Sequence, residues 1–96
     1  MALGTNRTRN WGRDAQEIAL SIAMRKYRVG YEIRHGLLFL AGSNGRITLP
    51  FNQSCASLVH VRRGRWEAHH PFDGRLLASG ISERDVVRAT IQAVCQ

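Results

Sequence analysis

LLFLAGSNGRITLPF, residues 37–51, decides the first question about this chain, whether it builds a sheet. Apolar and small or polar residues alternate on both sides of Asn44-Gly45. Asn-Gly is the preferred pair for a two-residue type I′ hairpin turn, because both central residues need positive φ. A turn there sets Gly42 against Ile47, Leu40 against Leu49 and Leu38 against Phe51. All six share one face, and that face is apolar enough to be the core side of an antiparallel pair.

Working outward, Tyr31–Leu40 reads as extended chain with a bend at Gly36. Downstream, Leu58–Arg62 and Arg65–His70 form a second hairpin closed at Arg63-Gly64. A further strand over Arg75–Ala78 returns after the turn Pro71-Phe72-Asp73-Gly74. Two helical periods flank the strands. In the first, Asp14-Ala-Gln-Glu17 has the spacing of a capping box. Ala15, Ile18, Ala19, Ile22, Ala23 and Tyr27 follow on one face, and Gly30 is expected at the left-handed C′ position. In the second, Ser82-Glu83-Arg84-Asp85 precedes an apolar face of Val86, Val87, Ala89, Ala93 and Val94, opposite Arg84, Asp85, Arg88 and Gln92. The fold expected is α+β: an antiparallel meander of four to five strands with two helices, in the order α-β-β-β-β-(β)-α, as two layers. The expected core sets Ile18, Ile22, Val86, Val87 and Ile91 against Leu38, Leu40, Leu49, Val59 and Val61.

Ninety-six residues make one domain, read as residues 13–96, preceded by a flexible basic arm over residues 1–12. A hydrophobic share of 44% is that of a globular chain. The opening MALGTNRTRN lacks the apolar run of a signal peptide, and no stretch approaches the roughly 18 apolar residues of a membrane span. Cys55 and Cys95 do not form a C-x-x-C pair, which argues against structural zinc. A cytoplasmic protein with reduced thiols, no cofactor and no membrane partner is expected.

The net charge is +7, from 14 basic and 7 acidic residues, and Lys26 is the single lysine among the basic ones. Arginine presents a planar fork of donors suited to phosphate or carboxylate, so the excess points to anionic partners. The densest cluster is HVRRGRWEAHHPFDGR, residues 60–75. With a two-residue turn at Arg63-Gly64, strand parity sends Val59, Val61, Trp66 and Ala68 inward. The same parity places His60, Arg62, Arg65, Glu67 and His69 on the outer face.

His60, Glu67 and His69 have the residue types of a metal site, but Arg62 and Arg65 would repel a cation. A wet cross-strand pair of His60 with Glu67 is the expected state. The histidines and arginines also have the types of an acid–base phosphate site, yet no hydroxyl or glycine context sharpens it, so no catalytic residue is assigned. A phosphate-contacting surface accounts best for the pattern. Arg62, Arg63 and Arg65 crowd the hairpin, and Arg7, Arg9 and Arg13 lie on the arm. Phe39 and Trp11 are the aromatic groups on which a base could stack. The alternative expectation is a module for an acidic protein partner or for self-association. The order α-β-β-β-α invites comparison with double-stranded RNA-binding domains, whose last helix begins with basic charge. Here that turn is Ser82-Glu83-Arg84-Asp85, so no family is assigned.

Overall fold

Two helices and five strands follow one another along the chain in the computed structural model, which describes residues 2–42 and 55–95, of residues 2–11 the backbone alone. The elements are α1 (Ala2–Tyr27), β1 (Val29–Arg34), β2 (Leu37–Gly42), β3 (Cys55–Arg62), β4 (Arg65–His69), β5 (Leu76–Gly80) and α2 (Glu83–Val94). The strands form one antiparallel sheet in sequential order, β1-β2-β3-β4-β5. Both helices pack on one of its faces, so the expected α+β two-layer meander is the architecture present.

The strand boundaries differ from expectation in one place that matters. Tyr31–Leu40 is not one bent strand. Arg34 pairs with Leu37, and the two residues between them, His35 (φ 53°) and Gly36 (φ 75°), both take left-handed conformations. That is the type I′ geometry, closed by His-Gly. The Asn44-Gly45 turn lies outside the described residues, as do Ile47, Leu49 and Phe51. The expected pairing of Leu38 with Phe51 is corrected, because Leu38 lies between Ile33 on β1 and Ala56 on β3. Each strand of a sheet has only two neighbours, and both are taken.

Helix α1 begins at Ala2, so Asp14 does not cap it, and the residues expected as an arm continue the helix in their backbone. The helix ends at Tyr27, where Arg28 (φ 54°) takes the left-handed position expected of Gly30, which instead belongs to β1. The rotation of α1 also departs from the sequence reading. Leu20 and Ala23 are buried, with Met24 and Tyr27 packed beside them, while Ile18 and Ile22 are each 58% exposed. Two contacts to α2 hold that rotation: the Ser82 hydroxyl donates to Gln16 Oε1 at 2.5 Å, and Arg84 pairs with Glu17 at 3.1 Å. Gln16, Leu20, Ala23 and Tyr27 are spaced as one helical face, so turning Gln16 toward α2 turns Ile18 and Ile22 away.

Helix α2 starts as its sequence implies. Ser82 is the N-cap and accepts from the Asp85 N–H at 3.1 Å. Asp85 answers by accepting from the Ile81 N–H at 3.0 Å, one residue before the N-cap N–H that the usual reciprocal box engages. Val86, Val87, Thr90, Ile91 and Val94 are buried against the sheet. The one polar member, Thr90, donates its hydroxyl to the Val86 carbonyl at 2.6 Å, so its burial leaves no unmet hydrogen bond. Leu38, Leu40, Ala56 and Ala68 complete the core from the strands. Cys55 and Cys95 are buried thiols that form no disulfide with each other, and burial pushes both above their ordinary range.

Candidate nucleic-acid interface

The β3–β4 hairpin closes at Arg63-Gly64 as expected, with Arg62 opposite Arg65 and Gly64 at φ 77°. One residue further the register slips. His60 pairs with Trp66, Val59 with Glu67 and Leu58 with Ala68, which leaves Val61 as the extra residue of a β-bulge. The slip reverses the parity of β3 before the bulge. Leu58 and His60 share the face of Trp66 and Ala68, and Val59 joins Glu67 on the face without helices. Val59 and Val61 are therefore 43% and 49% exposed rather than core residues.

His60 consequently does not meet Glu67. Its ring stacks on the Trp66 indole, with centroids 4.5 Å apart and planes 12° from parallel. The three residue types weighed for a metal, His60, Glu67 and His69, stand on opposite faces. Among the described residues no group of three His, Cys, Asp or Glu side chains converges.

Glu67 has other partners. Its Oε2 accepts from Arg65 at 3.1 Å, and its Oε1 lies 3.0 Å from His69 Nε2. The other ring nitrogen of His69 lies 2.9 Å from the Gly74 carbonyl oxygen. Both ring nitrogens thus face acceptors, an arrangement that the protonated ring satisfies by donating twice. The Gly74 carbonyl first, and then Glu67, holds the His69 pKa above its ordinary 6.5. His69 and Arg65 in turn hold the Glu67 carboxyl below its ordinary 4.5.

The consequences for pH have opposite signs. The contribution of His69 is fully present below about 6.5, its unfolded value, and is lost as pH rises through the higher folded value. The contribution of Glu67 is present above about 4.5 and is lost as pH falls through its lower folded value. An NMR titration is expected to place the His69 midpoint above 6.5 and to lower it in Glu67→Gln. A midpoint unmoved by that substitution would mean that the contact is not made in solution.

His70 is buried and organises the next turn. Its Nδ1 accepts from the N–H groups of Phe72 and Asp73, each at 3.2 Å. Asp73 accepts from the Arg75 N–H at 2.9 Å, which holds its carboxyl below the ordinary range. These contacts occupy His69, His70 and Asp73 in fixing the connection between β4 and β5.

The remaining feature is charge. Sheet order places the β1–β2 and β3–β4 turns at the same end, because β2 and β3 run antiparallel with Leu37 opposite Ser57. Arg34 lies at that end, and Arg62, Arg63 and Arg65 stand further out, where the β3–β4 hairpin runs on past Ser57. Arg13 reaches the same end on α1, lining a cleft of about 390 Å³ with Ile33, Ser82, Glu83 and Arg84. All seven carboxylate side chains belong to described residues. Arg34 pairs with Glu32, Arg65 with Glu67 and Arg84 with Glu17. Arg13, Arg62 and Arg63 pair with none of them. Of Arg7 and Arg9 the backbone alone is described.

Sequence reasoning missed Arg34, whose guanidinium lies 4.6 Å from the centroid of the Phe39 ring. The His35-Gly36 pair was the available signal, since a two-residue turn there brings Arg34 to the hairpin end. Phe39, one of the two aromatics considered for base stacking, is half-buried with that cation over it. Among the described residues no helix is long and apolar enough to cross a membrane. No protein-family model matches this chain, and neither a curated protein nor a solved structure does so.

Proposed function

We propose that the protein is a small, non-catalytic binding module that contacts the phosphates of nucleic acid through its arginine-rich end. Arg62, Arg63 and Arg65 would act from the β3–β4 hairpin, with Arg13 on α1 and Arg7 and Arg9 further along the same helix. The observation that carries the reading is that Arg62 and Arg63 are exposed at the hairpin tip with no carboxylate partner, although every carboxylate side chain lies in a described part of the chain. Arg34 and Arg65 belong to the same end, and Arg7, Arg9 and Arg13 to the helix that leads from it. Backbone-directed contact fits better than base reading. The nearby aromatics Trp66 and Phe39 are already stacked against His60 and Arg34.

The test is fluorescence anisotropy with unrelated single- and double-stranded oligonucleotides over a salt series. Binding is expected to depend weakly on sequence and steeply on salt, with a slope that counts the phosphates neutralised. Arg62→Glu with Arg63→Glu is expected to weaken binding to all oligonucleotides alike without unfolding the domain, since both side chains are exposed and neither pairs with a carboxylate. Removing residues 1–12 should flatten the slope by about one unit for each phosphate that those residues neutralise. Absence of affinity at low salt, or indifference to the double reversal, would move the basic end to an acidic protein partner.

A further inference from the structure

The side of α1 that faces away from the sheet is apolar where solvent would favour charge. Ile18 and Ile22 stand one turn apart, each 58% exposed, on the side of the helix away from Leu20 and Ala23. Nothing about helix propensity calls for two β-branched residues there. Ala15 and Ala19 continue this surface into a groove of about 470 Å³ between α1 and α2. Ile81, 61% exposed, lines the groove from the other side. Two exposed isoleucines that adjoin an apolar groove form a contiguous patch rather than scattered single residues.

The charges that bracket this patch identify what would cover it. Asp14 precedes Ile18 by one turn, and Arg25 follows Ile22 by nearly one turn, on the same side of the helix. Both are exposed, and neither makes an ion pair among the described residues, while the neighbouring Glu17 is engaged with Arg84. Acid at one end of the patch and base at the other make the surface complementary to itself when one copy is reversed. A two-fold axis passing between Ile18 and Ile22 sets Ile18 against the partner's Ile22. The same axis brings Asp14 to within one residue of the level of the partner's Arg25, which shares its face, and symmetry makes each contact twice. The parallel arrangement would instead oppose like charges.

We propose that this face of α1 is a homodimer interface in which two copies pack their α1 helices antiparallel, with Ile18 and Ile22 at the centre and Asp14–Arg25 pairs at either end. One helix face and its groove bury less than the roughly 1,200–2,000 Å² of a standard stable interface, so the dimer forms as a function of concentration.

Sedimentation velocity on protein free of nucleic acid, over roughly 5–500 µM, covers the affinity range of such a contact. The mass is expected to rise from monomer toward dimer across the series. Ile18→Arg with Ile22→Arg should stay monomeric throughout while keeping its circular dichroism spectrum. Asp14→Arg alone should weaken association about tenfold, and adding Arg25→Asp should restore it, a rescue that general damage to the helix would not give. The charge-swap pair keeps the proposal open to test should the double isoleucine variant fail to fold. A wild-type chain still monomeric at the highest concentration would overturn the proposal. So would a dimer indifferent to the isoleucine substitutions, or one that the charge swap does not restore.

Discussion

Leu38→Ala is expected to lower the unfolding free energy by about 2–5 kcal/mol, the range for emptying a leucine site in a core that cannot collapse around the gap. Leu38 has no exposed surface. It lies on β2 between Ile33 and Ala56, under the helices that supply Leu20, Val87 and Ile91 to the same core. The strands on either side are fixed by their own ladders, so neither can move in to fill the space. For a domain of this size each kcal/mol is worth roughly 4–8 °C in Tm, so the shift is easily read by thermal or urea denaturation. Val59→Ala supplies the contrast. Because the bulge at Val61 turns Val59 to the open face, its truncation should change stability by no more than about 0.5 kcal/mol. Equal losses at the two positions would mean that β3 lacks the bulge and that Val59 points inward after all.

Gly80→Ala carries the second large effect, and its cause is close approach rather than φ. A Cβ on Gly80 would lie 2.5 Å from the Val86 nitrogen and 2.8 Å from both the Asp85 carbonyl carbon and the Val86 Cα. All three are backbone atoms in the first turn of α2, so no side chain can swing aside. The strand end and the helix start must separate. That separation loosens the Ser82 cap, the Asp85 contact to the Ile81 N–H and the packing of Val86 together. A loss of about 3 kcal/mol is expected, toward the upper end of what overpacking costs. Gly30→Ala is the control. Nothing lies within 4 Å of an added Cβ there, and its φ is not in the left-handed region, so it should be neutral or slightly stabilising. If Gly80→Ala behaved like Gly30→Ala in a denaturant titration, the strand and the helix would not meet as closely as they do in this structure.

The second hairpin and α2 are legible in the sequence because their signals are local: a two-residue turn at Arg63-Gly64, and a Ser82 cap followed by helical periodicity. The corrections fall where two readings compete locally. His35-Gly36 and Asn44-Gly45 both suit a type I′ turn. Asn-Gly is the stronger pair on its own, whereas β2 pairs with β1 through the His-Gly turn. On α1, both Ile18–Ile22 and Leu20–Ala23–Tyr27 are apolar faces. Periodicity ranks the Ile face first because Ala15, Ile18, Ala19 and Ile22 make an unbroken apolar arc.

For the candidate interface the sequence supplies the residue types and the structure their company. The arginines of the hairpin are visible as a cluster, but their relation to Arg34 depends on two turns meeting at one end of the sheet. The pairing of Glu67 is not legible because one extra residue, Val61, shifts the ladder, and a period-2 pattern inverts with a shift of one. His60 goes with it, from an expected partner of Glu67 to a ring stacked on Trp66.

By itself the sequence determined the class of the fold, the antiparallel meander between two helices, the start of α2 and the excess of arginine, because each depends on neighbours within a few residues or on composition alone. Only the tertiary structure decided which face of α1 is buried, where β3 slips, and which arginines remain without a carboxylate. The rotation of α1 depends on contacts between residues far apart in the chain, the Ser82–Gln16 hydrogen bond and the Arg84–Glu17 pair, and the β3–β4 register turns on one extra residue in the ladder; local periodicity is indifferent to all three.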